Sequence, residues 1–150
     1  MRLTVTTPLA VVVETGDVAH LRAEDETGAF GILEGHADFL TALPVSVVTW
    51  RDAHALEHHV AIRGGMLEVR GGETVAVATR EAIASDDLRR LETEVLVAFR
   101  RASEEEKAAR IDAQRLYLAA IRQICRFLRS ERTATVPGGA GIPEFEGLEQ

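Results

Sequence analysis

A chain of 150 residues, 46% hydrophobic and 27% charged, has the makeup of one ordinary globular domain or of a small domain with an appendage. Its net charge of −7 is concentrated at the front, where residues 1 to 85 carry six Arg against twelve Asp and Glu, and that acidity argues against a nucleic-acid partner. No window approaches the ~20 apolar residues needed to span a bilayer, and Met1 to Thr6 lack the apolar core of a signal peptide, so neither membrane insertion nor export is expected.

The first 85 residues read as short strands. Leu3 and Val5 alternate with Thr4 and Thr6, Val11 to Val13 form a brief buried run, and a further alternation covers Val18 to Ala23. More β-rich runs follow at 45 to 50, 59 to 63, 66 to 70 and 74 to 79, separated by turn formers such as Thr27-Gly28, Gly64-Gly65 and Gly71-Gly72. Burying that alternation takes two facing sheets, so an antiparallel sandwich is expected over 1–85.

The texture changes at Ala84-Ser85-Asp86-Asp87, where Ser85 or Asp86 can cap a helix and the aspartates complement its dipole. From there to Val136 there is neither Gly nor Pro. Leu88, Leu91, Val95, Ala98, Phe99 and Ala102 share one face, the polar stretch Ser103 to Lys107 interrupts the pattern, and a second helical pattern runs from about Asp112 to Ser130. In the latter, Arg115, Arg122, Arg126 and Arg129 fall within about 60° on the wheel, while Leu116, Tyr117, Leu118, Ile121, Ile124, Phe127 and Leu128 occupy most of the rest. A helix that apolar needs the first helix, the sandwich or an outside partner. The residues alone leave open a closed hairpin with its turn near 103 to 111 and one long rod. The lone Cys125, on the apolar side, reads as a small buried hydrophobe. Thr133 to Gln150, with Pro137-Gly138-Gly139-Ala140-Gly141-Ile142-Pro143, cannot build a core, and disorder is expected there.

Two stretches carry a resemblance. Gly28 to Leu43 places glycines at 28, 31 and 35, His36 directly after the last, and an apolar run up to Pro44; Ile62 to Arg70 holds a glycine pair followed by Leu67-Glu68-Val69. These resemble the two signatures of the epsilon subunit of F-type ATP synthases, G-x-x-G-I-x-x-G-H-A-x-x-L-T-x-L and the glycine pair with its short strand. The resemblance runs in order over most of the chain. It implies α+β architecture: an N-terminal antiparallel β-sandwich (1–85, stalk and ring docking), then a C-terminal two-helix antiparallel hairpin (86–132, regulatory), then the tail (133–150). It also implies a non-catalytic rotor component of a proton- or sodium-translocating complex, peripheral on the cytoplasmic face of the inner membrane, with no cofactor.

By the same resemblance, His36 and Thr41 are candidate gamma-subunit contacts, and Gly28, Ala29, Phe30 and Gly31 are candidate contacts to the polar loops of the membrane c-ring. Many relatives carry a carboxylate where Ala29 stands. Arg115, Arg122, Arg126 and Arg129 become candidate contacts to the alpha/beta catalytic head, where such helices restrain hydrolysis. Some family members bind ATP through an Ile/Leu-Asp-x-x-Arg-Ala motif. Here that stretch is Leu88-Arg89-Arg90-Leu91-Glu92-Thr93, with both charges reversed, so tight ATP binding is not expected.

Other chemistry finds little support. His58 and His59 point to opposite faces of a strand and cannot share a metal ion, and His54, His58 and His59 read as residues of a solvated hairpin. There is no Gly-x-Ser-x-Gly elbow, and no glycine pair leads into a helix with a following Lys-Ser or Lys-Thr. Without the resemblance, His36 is a turn histidine bonding a backbone carbonyl, and the arginine stripe is a solvated face. The reading from a different class is a free-standing β-sandwich binding module whose helices form a dimerisation hairpin.

Overall fold

The computed structural model describes the backbone of residues 1–134 and the side chains of residues 1–129; the tail expected to be disordered lies, from residue 135 on, outside the described residues. The chain divides into two compact units, Met1–Lys107 and a second from Ala108 on.

The first unit holds eight strands: β1 (Arg2–Thr6), β2 (Val11–Thr15), β3 (Val18–Asp25), β4 (Gly28–Leu33), β5 (Phe39–Asp52), β6 (Glu57–Arg70), β7 (Thr74–Thr79) and β8 (Ala82–Ser85). They hydrogen-bond in the order β2-β1-β7-β6-β5-β3-β4, with β8 on β6. Every pairing is antiparallel except β1 with β7.

Two long strands make this sheet a sandwich. β5 and β6 pair along their whole length, but the register skips Pro44 and Gly64, where Leu43 meets Gly65 and Val45 meets Arg63. Proline has no N–H to give the ladder, and a glycine at φ +67° supplies the bend opposite it. On one side of the bend, residues 65–70 of β6 pair with β7; on the other, residues 59–62 pair with β8, and β3 joins the second half of β5. Each long strand thus serves both layers.

Leu3, Val5, Leu21, Ile32, Val48, Val60, Ile62, Leu67, Val69, Val75 and Val77 fill the space between the layers. At about 1.5–3 kcal/mol for each fully buried aliphatic side chain, this core is the main source of the unit's stability. A register shift between Val18 and His20 lets Val18, Leu21 and Ala23 all point inward, which strict alternation forbids.

A second, smaller cluster lies on the outer face of β5 and β6. The helical segment starts as α1 (Leu88–Arg90), passes through a π-helical turn (Leu91–Val95), and continues as α2 (Leu96–Ala134). Asp87, rather than Ser85 or Asp86, is the cap: its carboxylate accepts the Arg90 N–H at 3.2 Å. The π turn brings Leu91 and Leu96 onto the same face, and with Phe99 they bury Ala61 against Val45 and Val47. This explains why residues 59–62 of β6 are buried without a break: one face meets the core, the other the helix.

The hairpin is absent from this structure. α2 is one helix of 39 residues, and no turn interrupts 103–111. The polar stretch holds no breaker, and Arg101–Glu105 and Glu104–Lys107 pair at helical spacing across it. Its loss of apolar pattern therefore marks helix rather than a turn.

The second unit is helical through Ala134, and every described side chain in it is exposed, Leu116, Tyr117 and Phe127 by about two thirds or more. Cys125 is exposed too, contrary to the expectation of a buried thiol, because no element among the described residues covers its apolar neighbours.

Candidate functional site

The two signature stretches meet at one end of the sandwich. Gly35 donates its N–H to the Gly72 carbonyl at 2.8 Å, and a Cβ on Gly72 (φ +71°) would lie 2.7 Å from the Gly35 Cα. Only glycine permits that approach. Asp38 reinforces it by accepting the Gly71 N–H at 2.7 Å. The β4–β5 loop is therefore clamped onto the β6–β7 turn by backbone.

His36 sits in this clamped loop. Its N–H reaches the Leu33 carbonyl at 3.1 Å, and its Nδ1 lies 2.7 Å from the Ala37 carbonyl. A carbonyl only accepts, so Nδ1 carries the proton and the other ring nitrogen is the acceptor of the neutral form. The ring packs edge-on to Phe39 (5.8 Å), which in turn meets Phe30 (5.5 Å). His36 and Phe30, from the two predicted contact groups, thus belong to one aromatic row.

Thr41 is turned to an internal task. Its hydroxyl donates to Asp25 Oδ2 at 2.9 Å, while Asp25 Oδ1 takes the Thr27 hydroxyl (2.6 Å) and N–H (2.8 Å). These bonds, the Thr27 hydroxyl foremost, hold the Asp25 carboxyl below its ordinary range. Gly28 to Gly31 run along β4 opposite Asp25, Glu24, Ala23 and Arg22. Ala29 carries no charge, but its cross-strand partner Glu24 is exposed on the same face. Gly31 makes room for the His20 ring, because a Cβ there would come within 2.9 Å of His20 Nε2 and the ring would have to shift.

Asp25 has company elsewhere on the sandwich. Asp52 is held low chiefly by its bond to His58, and Glu57 by its bond to Arg51. All three folded values lie below the ordinary 3.8 or 4.5, so the folded state binds fewer protons in acid than the unfolded chain. Their stabilisation is complete above those ordinary values and is lost as pH falls through the lowered ones. Urea unfolding midpoints should therefore drop between about pH 5 and about pH 3. Asp25→Asn should flatten part of that slope, and an unchanged slope would show that the β3–β4 turn contributes none of it.

His59 is not a solvated hairpin residue. It is 6% exposed, beneath the helix root, with Nδ1 bonded to Thr49 Oγ1 at 2.9 Å. It lines a groove of about 710 Å³ beside α1, together with His20, Arg22, Glu92 and Arg100. The sequence carried a partial signal for this groove: His20 and Arg22 alternate on one face of β3, but nothing announced that the helix root would roof it. Among the described residues, no three His, Cys, Asp or Glu side chains come together so as to hold a metal ion.

In the second unit, Arg115, Arg122, Arg126 and Arg129 are all exposed, and Arg115 lies 3.9 Å from Asp112. No helix among the described residues is long and apolar enough to cross a membrane.

The chain is similar to known proteins. The family model of the ATP synthase delta/epsilon chain β-sandwich domain matches residues 1–85. An ATP synthase epsilon chain 2 of Paraburkholderia xenovorans is 39% identical over 132 residues, 88% of this chain and 95% of the relative. One of Cereibacter sphaeroides is 41% identical over 138 residues, covering 92% and 94%. Among solved structures, a chain of the Euglena gracilis mitochondrial ATP synthase OSCP/F1/c-ring assembly superposes with a TM-score of 0.54 at 24% identity, over 71% of this chain and 62% of that one. A chain of the Tetrahymena thermophila mitochondrial ATP synthase central stalk and c-ring gives 0.52 at 15% identity, over 73% and 90%. With its sandwich matched by the family model and its length by the bacterial relatives, this chain belongs to the ATP synthase epsilon chain family.

Proposed function

We propose that the chain is a non-catalytic central-stalk subunit of a rotary F-type ATP synthase, coupling rotation of the membrane ring to the gamma subunit. The observation that carries this reading is the near full-length identity to bacterial epsilon chains. The backbone clamp between Gly35 and Gly72 supports it, since torque transfer needs a docking end that does not deform. His36 offers its free ring nitrogen to gamma, and Thr41 acts through Asp25 by holding the β3–β4 turn in place. Gly28, Ala29, Phe30 and Gly31 form the edge presented to the c-ring loops, with Glu24 supplying the carboxylate that Ala29 lacks. The protein is peripheral, on the cytoplasmic face of the membrane that holds the ring.

The helical region is the conditional part. Its exposed apolar face requires a partner, and the stripe of Arg115, Arg122, Arg126 and Arg129 suits acidic loops of the alpha/beta head. A brake of this kind needs an element with two arrangements close in energy, a rod engaged with the head and a folded hairpin that releases it. Glu92, in place of the family's arginine, lines the groove beside α1 and opposes a triphosphate there; calorimetry should detect no micromolar ATP binding.

Co-expression with gamma tests the core of the proposal. The full chain should co-purify with gamma as a stable complex, and a self-contained monomer or dimer would overturn the assignment. In the assembled enzyme, removing residues after Ser85 should preserve assembly and raise ATP hydrolysis. Alanine at Arg115, Arg122, Arg126 and Arg129 together should act in the same direction. Unchanged hydrolysis in both would leave the rotor role and remove the brake.

A further inference from the structure

His58 stands at the joint between the sandwich and the helix root. On β6 it lies directly opposite Trp50 of β5, and the two rings stack with centroids 5.4 Å apart and planes 24° from parallel. Its Nε2 is 3.2 Å from Asp52 Oδ2, and its Nδ1 is 3.5 Å from Asp86 Oδ1. Asp86 is the single residue between the end of β8 and the cap Asp87. Both ring nitrogens therefore face carboxylates.

A carboxylate only accepts, and a neutral imidazole has one N–H and one lone pair. The neutral ring can serve one of these two partners and turns a lone pair toward the other. Only the imidazolium serves both. The remaining groups around the ring are acidic or already paired. Across a recess of about 450 Å³ stands Glu14 of β2, and among the described residues no arginine or lysine lines that recess. On its own strand, Glu57 is taken by Arg51, and His59 bonds Thr49 on the opposite face.

The two carboxylates are not equal. Asp52 is 16% exposed in its side chain and also accepts the His54 and Leu56 N–H groups, so its departure would break those two bonds as well. Asp86 is 90% exposed in its side chain, and water can replace the imidazole at no structural cost. A ring that has lost one proton keeps Asp52 and lets Asp86 go.

We propose that His58 is a pH-operated latch, whose imidazolium ties Asp86, and with it the root of the helix, to the β5–β6 hairpin. An imidazole side chain changes charge between about pH 5 and 8, so the latch is closed below that window and open above it. The device sits in the chain itself and does not depend on the rotor assignment.

The full-length chain tests it. Trp50 is the only tryptophan, and a stacked imidazolium quenches indole emission more than a neutral imidazole does. Trp50 emission should rise in one step between about pH 5 and 8. Across the same step, amide hydrogen-exchange protection over residues 88–96, corrected for the intrinsic pH dependence of exchange, should fall about two- to five-fold, the scale of one exposed ion pair. Asp86→Asn should keep the emission step and lose the protection step. His58→Gln should lose both, with an unchanged circular dichroism spectrum reporting an intact fold. Protection that ignores pH in the native chain, an emission step that is missing there, or a protection step that survives in Asp86→Asn overturns the latch.

Discussion

Gly65→Ala should lower the thermal unfolding midpoint of the chain by on the order of 15 °C, corresponding to about 3 kcal/mol. Gly65 has φ +154°, outside the range that side-chain-bearing residues adopt. A Cβ built there lies 2.1 Å from the Ala78 carbonyl oxygen and 3.0 Å from its carbon, both backbone atoms of the neighbouring strand. Neither can step aside without breaking the ladder that pairs Gly65 with Thr79 and Met66 with Ala78. The substitution also strikes the bend that lets β6 serve both layers, so relaxation at one layer misaligns the other. Gly16→Ala is the control, because nothing lies within 4 Å of a Cβ there. Equal midpoints for the two variants, measured by calorimetry, would show that the bend is not the constraint described.

Leu91→Ala should cost about 2–5 kcal/mol, but locally. Leu91 is fully buried, and its cluster of Ala61, Leu96 and Phe99 is separate from the core between the layers. Removing its side chain leaves a cavity under the π turn and unseats the helix root, while the fifteen buried residues of the inner core keep their contacts. Urea unfolding should then split into two transitions. The helical circular dichroism signal should fall at lower urea than in the native chain, and Trp50 emission, which reports the sandwich, should keep its midpoint. Coincident transitions in the variant would mean that the root and the sandwich are one cooperative block.

Several elements were legible in the residues because their cause is local. The strands at 3 to 6, 18 to 23, 66 to 70 and 74 to 79 carry their own alternation, and the capped start of the helix carries its own aspartates. Two strands were not. β4 has four apolar side chains beside two glycines, and β8 reads as a linker; both exist because a neighbour offers an unpaired edge, a property no single segment displays. Of β5 only 45 to 50 reads as a strand in the residues, because Pro44 usually ends one, yet the ladder also holds Phe39 to Leu43 before it.

The candidate site shows the same division. His36 and Phe30 lie in a recognisable signature, but the aromatic row that joins them through Phe39 needed the β4–β5 loop to close. Thr41 looked available as a contact until Asp25, sixteen residues earlier, was seen to take its hydroxyl. His59 and the groove beside it depend on where the helix root lands, which the spacing of Leu91, Leu96 and Phe99 does not reveal without the π turn.

By itself, then, the order of residues determined an acidic β domain followed by a breaker-free helical stretch, and the family to which those belong. Periodicity, turn chemistry and charge act within a few residues of one another, so they are written in the chain. Only the tertiary structure decided which strands share both layers, which faces the helix root covers, and whether 103 to 111 is turn or helix. Those outcomes depend on partners far apart in sequence, where backbone groups and buried faces are satisfied by whatever the fold brings beside them.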